Sequence, residues 1–199
     1  ISNPYLRQAV EYYFVKDEAF IKSFKGHSAA KTVHHGFAGG LLEHTLSVTK
    51  MCEYFANAYD ILNADLLYAS AVCHDIGKTK ELSNFPDNDY TDIGQLVGHI
   101  VIGVEMIGEA IRTIPDFPEK LANEWKHCIV AHHGELEYGS PKKPALAEAV
   151  ALNLADNADA KMQTLKEIFK DKSGTDWLGY NRLFESNLRK TSLSEESKS

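Results

Sequence analysis

Apolar residues recur at helical spacing from the start of the chain. Leu6, Ala9, Val10, Tyr13 and Phe14 share one face once Asn3 is read as an N-cap and Pro4 as the first helical position. A second, shorter helix is predicted after Asp17, carrying Phe20, Ile21 and Phe24 and ending at Gly26. His27–Phe37 reads as a loop containing the pair His34-His35. Gly39-Gly40 then opens a helix over Leu41–Tyr59, with Leu42, Leu46, Thr49, Phe55 and Ala56 as its apolar stripe. Asn63 caps the next helix and Asp65 suits its first turn. Its apolar run leads straight into His74 and Asp75, then breaks at Gly77 with Lys78 beside the break.

Asn84–Asp92 is polar and turn-rich, so it reads as a loop. Thr91 or Asp92 caps another helix, predicted to run to Thr113 with His99 in its interior. Pro115–Pro118 breaks that pattern, and a helix from Pro118 ends in His132-His133 before Gly134. Glu135–Pro144 is a loop, and Ala145–Lys170 a long helix containing Asp156 and Asp159. No strand-length alternating run and no internal repeat is visible. The expectation is an all-α bundle of about six main helices, one domain over residues 1–190, with a disordered Ser/Glu/Lys-rich tail over 191–199.

Composition narrows the class. With 44% apolar and 25% charged residues in 199, the chain can bury a sizeable core. No apolar window is long enough to span a membrane, and the first residues lack the apolar stretch of a signal peptide. Three cysteines without paired spacing fit reduced, buried thiols and a cytoplasmic setting. Ile1 is not a start methionine, so the sequence reads as a processed product or a piece of something longer. A net charge of −7 argues against broad electrostatic adhesion to nucleic acid or anionic membrane. It leaves room for local grip on a strand end, because bound cations reverse the field in a cleft.

The histidines carry the chemistry. His44, His74, Asp75, His99, His132, His133 and Asp156 interrupt apolar helical patterns on five different helices. One such histidine is usually a satisfied core residue; five desolvated imidazoles would each need a partner. Imidazole and carboxylate together suit a divalent transition metal. Seven donors exceed the needs of one ion and suit two that share a carboxylate, with Asp75 the natural bridge.

The segments HHGFAGGLLEHTL (34–46), HDIGK (74–78), LVGHI (96–100), AHHGELEYGSP (131–141) and LADNADAK (154–161) together resemble the HD superfamily of metal-dependent phosphohydrolases. Within it, GLLEH and the HHG…LEYGSP stretch look most like the HD domain of the YhaM-type 3′–5′ exoribonucleases, relatives of the CMP-binding factor. The likeness covers Asn3–Phe184. It implies an HD-domain helical bundle with a metal site between helices. It also implies that His44, His74, Asp75 and Asp156 hold a first metal, and His99, His132 and His133 a second, with Asp75 bridging. The ions would be Mn²⁺, Fe or a similar transition metal. The implied activity is cleavage of phosphodiester bonds at the 3′ end of single-stranded RNA or DNA, by a hydroxide bridging the metals.

Lys78, beside the metal pair, is placed to neutralise a phosphate oxygen or position the leaving group. His35 precedes the metal helix and is a candidate substrate contact, with loop capping the alternative. Tyr138 and Ser140, with Lys142 and Lys143 beside them, are candidates to stack a base and hold a phosphate. Asp159 shares the face of Asp156 and reads as a partner for Lys161 or Lys78, or as a substrate contact. His27 and His127 read as surface or packing residues, and Trp177 and Tyr180 as packing the C-terminal segment onto the helices. Two other readings stand beside the exonuclease. One is a cyclic dinucleotide phosphodiesterase or nucleotidase, and the other a non-catalytic nucleotide-binding module.

Overall fold

The computed structural model describes residues 1–31, 36–170 and 176–192. Its helices are α1 (Pro4–Phe14), α2 (Glu18–Gly26), α3 (Gly40–Ala58), α4 (Ala64–Cys73), α5 (Lys78–Glu81), α6 (Asp92–Val97), α7 (His99–Arg112), α8 (Glu119–Ala131) and α9 (Ala147–Lys170). A short 3₁₀ turn spans Leu136–Tyr138, and two strands follow, β1 (Trp177–Asn181) and β2 (Ser186–Arg189). The chain divides into two compact units, Ile1–Lys161 and Met162–Ser199. No helix among the described residues is long and apolar enough to cross a membrane.

In the first unit α4 is the central element, packed against α1, α3 and α8. Leu66, Leu67, Ala69, Ala71 and Cys73 are all buried, so this helix is apolar on every side, as a core helix must be. Its entry is fixed by polar contacts. The Asn63 side chain accepts from Leu66 N at 3.0 Å, while Asn63 N donates to Glu148 Oε1 at 2.6 Å. Asp65 accepts from the backbone of Ser2 and Asn3 at 2.6 and 2.7 Å, tying the α1 entry to the first turn of α4. The Asn3 and Asp17 caps form as expected. Phe14, Phe20 and Phe24 stack edge-on between α1 and α2.

The fold is all-α apart from the small antiparallel β1–β2 pair, a hairpin that no alternating run announced. Three further expectations are corrected. The buried face of α3 runs through Leu41, His44, Thr45, Val48 and Cys52, whereas Leu42 and Leu46 are exposed. The predicted helix 91–113 is broken at Gly98, whose φ of +77° a side chain would oppose, so His99 opens α7 instead of lying inside a helix. Trp177 and Tyr180, expected to be packing residues, are 67% and 66% exposed. The expected loop pair His34-His35 and most of the tail lie outside the described residues.

Candidate metal centre

Helix ends bring the seven donors together. His44 sits one turn into α3, and Asp156 projects from α9. His74 and Asp75 occupy the turn where α4 stops, and Lys78 opens α5 three residues later. His99 begins α7, while His132 and His133 follow directly on α8. Gly77 makes this convergence possible. A Cβ there would lie 2.0 Å from His99 O and 2.8 Å from Gly103 N, so only glycine lets the Asp75 turn lie against α7.

The donors form two groups, His44/His74/Asp156 and His99/His132/His133, whose ligand atoms lie within 4.8 Å of one another in each. Asp75 stands between them with one oxygen toward each. Its Oδ2 is 3.5 Å from His44 Nε2 and 3.4 Å from His74 Nε2; its Oδ1 is 3.7 Å from both His99 Nε2 and His132 Nε2. Lys78 Nζ meets Oδ2 at 2.7 Å.

All five imidazoles are held by Nδ1. His74 bonds to Ala71 O at 2.8 Å, His132 to Ile129 O at 2.7 Å and His133 to Tyr138 O at 2.8 Å. His44 bonds to Asp159 at 2.7 Å and His99 to Glu81 at 3.0 Å. A carbonyl or carboxylate can only accept, so each Nδ1 carries a proton. Nε2 of a neutral ring then points inward with a lone pair, which His44 gains only on giving up the second proton that its contact with Asp156 holds. This is the outer support that metal-ligating histidines use.

The donor set fits a divalent cation on its own terms. Asp75 Oδ1, His99 Nε2 and His132 Nε2 are buried with no hydrogen-bond partner among the described residues. Three acceptors facing one another with nothing to donate is an arrangement that a cation relieves.

The electrostatics agree. Burial alone would raise the Asp75 carboxyl, but Lys78, then His74 and His99, hold it well below the ordinary carboxylate range. Asp156 is likewise held down against its burial, by the hydrogen bond from His44. Burial would lower His44, yet its bonds to Asp156 and Asp159 win and push it up to about 9. His132 is pushed well down by burial and by the imidazoles of His133 and His74, which keeps it neutral.

The remaining candidates separate. His35 lies outside the described residues. The Tyr138 ring is exposed, and its carbonyl is what orients His133. Ser140 is buried, its one hydroxyl proton shared between Val130 O at 2.9 Å and Lys142 O at 3.0 Å, so it fastens the loop beyond His133. His27 is buried and His127 Nε2 accepts from Ala145 N, both packing roles. Asp159 pairs with His44 Nδ1 at 2.7 Å. Glu81 was not singled out from the sequence; one of its oxygens accepts from both His99 N and His99 Nδ1. The spacing of three from Asp156 placed Asp159 on the site face, though not its pairing with His44, whereas no local pattern marks Glu81.

This chain belongs to the HD domain family, whose sequence pattern matches residues 41–161, a span that holds all seven donors. It is 39% identical over 166 residues to the 3′-5′ exoribonuclease YhaM of Bacillus subtilis strain 168, covering 83% of this chain and 51% of that protein. It is 38% identical over 165 residues to the proteins of the same name from Halalkalibacterium halodurans and Geobacillus sp. strain WCH70, covering 83% of this chain and 50% of each. The chain thus spans about half the length of the curated relatives it matches. No solved structure matches it at a significant level.

Proposed function

We propose that the chain is a divalent-metal-dependent phosphohydrolase that cleaves phosphodiester bonds at the 3′ end of single-stranded nucleic acid. The observation that carries this reading is Asp75, with one oxygen toward each of two histidine groups. His44, His74 and Asp156 would hold one cation and His99, His132 and His133 the other, with Asp75 shared. Bound there, two cations would supply charge for a phosphate oxygen and a shared water acidified toward neutrality. The chain's own part is orientation. The Nδ1 partners keep the five imidazoles aimed inward, and Lys78 brings an ammonium to the edge of the pair for a phosphate oxygen or a leaving group. The choice of a 3′ end rests on the relatives, which carry the name 3′-5′ exoribonuclease.

The test is a 5′-labelled single-stranded oligonucleotide incubated with the protein and Mn²⁺. Stepwise shortening from the 3′ end is expected. Turnover of a cyclic dinucleotide or a mononucleotide, with the oligonucleotide intact, would overturn the substrate assignment. Unchanged hydrolysis in a metal-depleted His74→Ala/Asp75→Ala variant would overturn the enzyme reading.

A further inference from the structure

The second unit carries a surface feature that the metal centre does not use. In the β1–β2 hairpin Trp177 pairs across the ladder with Arg189, and Tyr180 with Asn187. Three steps on β1 therefore oppose two on β2, which is a bulge of one extra residue. In a regular strand, residues three apart point to opposite faces. The bulge cancels that. Trp177 and Tyr180 both line up with Asn187 and Arg189, which are two apart on β2 and share one side. Leu188, between them, is half-buried on the other side.

The resulting face is aromatic, cationic and open. Trp177 and Tyr180 are each about two-thirds exposed, and the Arg189 guanidinium lies 5.8 Å from the Trp177 ring centroid. Arg182 is exposed in the turn that joins the strands. Charge divides in the same direction. Residues 162–199 carry seven Lys and Arg against six Asp and Glu, whereas residues 1–161 carry 14 against 22. Two solvent-facing rings, one of them with a guanidinium over it, can form a platform on which unpaired bases stack while their phosphates meet cations.

We propose that this face of the hairpin binds single-stranded nucleic acid, with Trp177 and Tyr180 each stacking a base and Arg189 and Arg182 meeting the phosphates. The choice of ligand draws on the function proposed above, but the binding requires no metal and no hydrolysis. The two tryptophans make it measurable, because Trp125 is buried and Trp177 is exposed.

The experiment titrates the full chain, in chelator and at low salt, with a short single-stranded oligouridylate. Saturable quenching of tryptophan emission is expected. Tyr180→Ala and Arg189→Ala should each weaken binding about ten-fold. Trp177→Phe should abolish the quenching while an end-labelled oligonucleotide still binds. A duplex of the same length should quench little. Absence of quenching at saturating oligonucleotide would overturn the assignment, as would labelled-strand binding unchanged in a Trp177→Ala/Tyr180→Ala variant. Emission that follows protein concentration instead of oligonucleotide would make the face a self-association surface and overturn it too. Quenching that persists in a chain that fails to shorten any substrate would leave this surface standing and remove the enzyme reading. Hydrolysis without quenching would do the reverse.

Discussion

One carboxylate oxygen of Glu81 accepts both from the backbone N–H of His99 and from its Nδ1, each at 3.0 Å. The contact does two jobs. It caps the first turn of α7, which has no side-chain cap of its own, and it fixes the tautomer that turns Nε2 inward. Glu81→Ala is expected to lower metal affinity about 10–100-fold at the His99/His132/His133 group while leaving the His44 group loaded. Metal counted per chain at limiting free metal will show a loss of one class of ion only. Glu81→Gln, which keeps an acceptor, should lose less.

His44 gives the metal-free protein a pH signature. Its folded-state pKa, about 9, lies above the ordinary 6.5 because Asp156 and Asp159 outweigh its burial. A raised value means that the stabilisation is fully present below pH 6.5 and is lost as pH climbs through about 9. Thermal melts in chelator should therefore fall over that window, with a shallower fall in Asp159→Asn. Metal uptake at neutral pH should release a proton, visible by calorimetry in buffers of different ionisation enthalpy.

Gly77→Ala should strike both fold and site. The added methyl would meet the His99 carbonyl at 2.0 Å and Gly103 N at 2.8 Å, and neither is a flexible side-chain end. A loss of about 3 kcal/mol is expected from denaturant midpoints. The displaced α7 should also release metal at lower chelator concentrations than the parent protein.

The three thiols should be silent. Cys52, Cys73 and Cys128 are all buried, and burial pushes Cys52 and Cys128 up to about 12. A thiolate is the reactive form. A disulfide reagent at pH 8 is expected to titrate none of them in the folded chain and all three after denaturation.

Most of the helical plan was legible, because Asn3, Asp17, Asn63 and Thr91 announce helix starts that the structure keeps. The seven donors were legible too, since polar residues in apolar helices demand an explanation. The same residues misled the reading of α3. His44 and Thr45 face inward toward the centre, so ranking by hydrophobicity rotated the stripe onto Leu42 and Leu46. The break at Gly98 was hidden inside a continuous apolar run, where one glycine does not distinguish a kink from a packed helix. The bulge between Trp177 and Tyr180 erased the alternation by which β1 could have been recognised. Glu81 was out of reach because it serves His99 across 18 residues, and no period connects them.

The carboxylates that orient the imidazoles also set a charge balance. With His44 neutral, as a ligand must be, Asp75, Asp156, Asp159 and Glu81 against Lys78 leave three net negative charges in one small interior volume. A single divalent ion would leave the interior anionic, and it would still repel a phosphate. A second would tip it to net positive. On the two-metal reading proposed above, an anionic substrate would be drawn in only once both positions are filled, and a half-loaded protein would screen itself from it by sign alone.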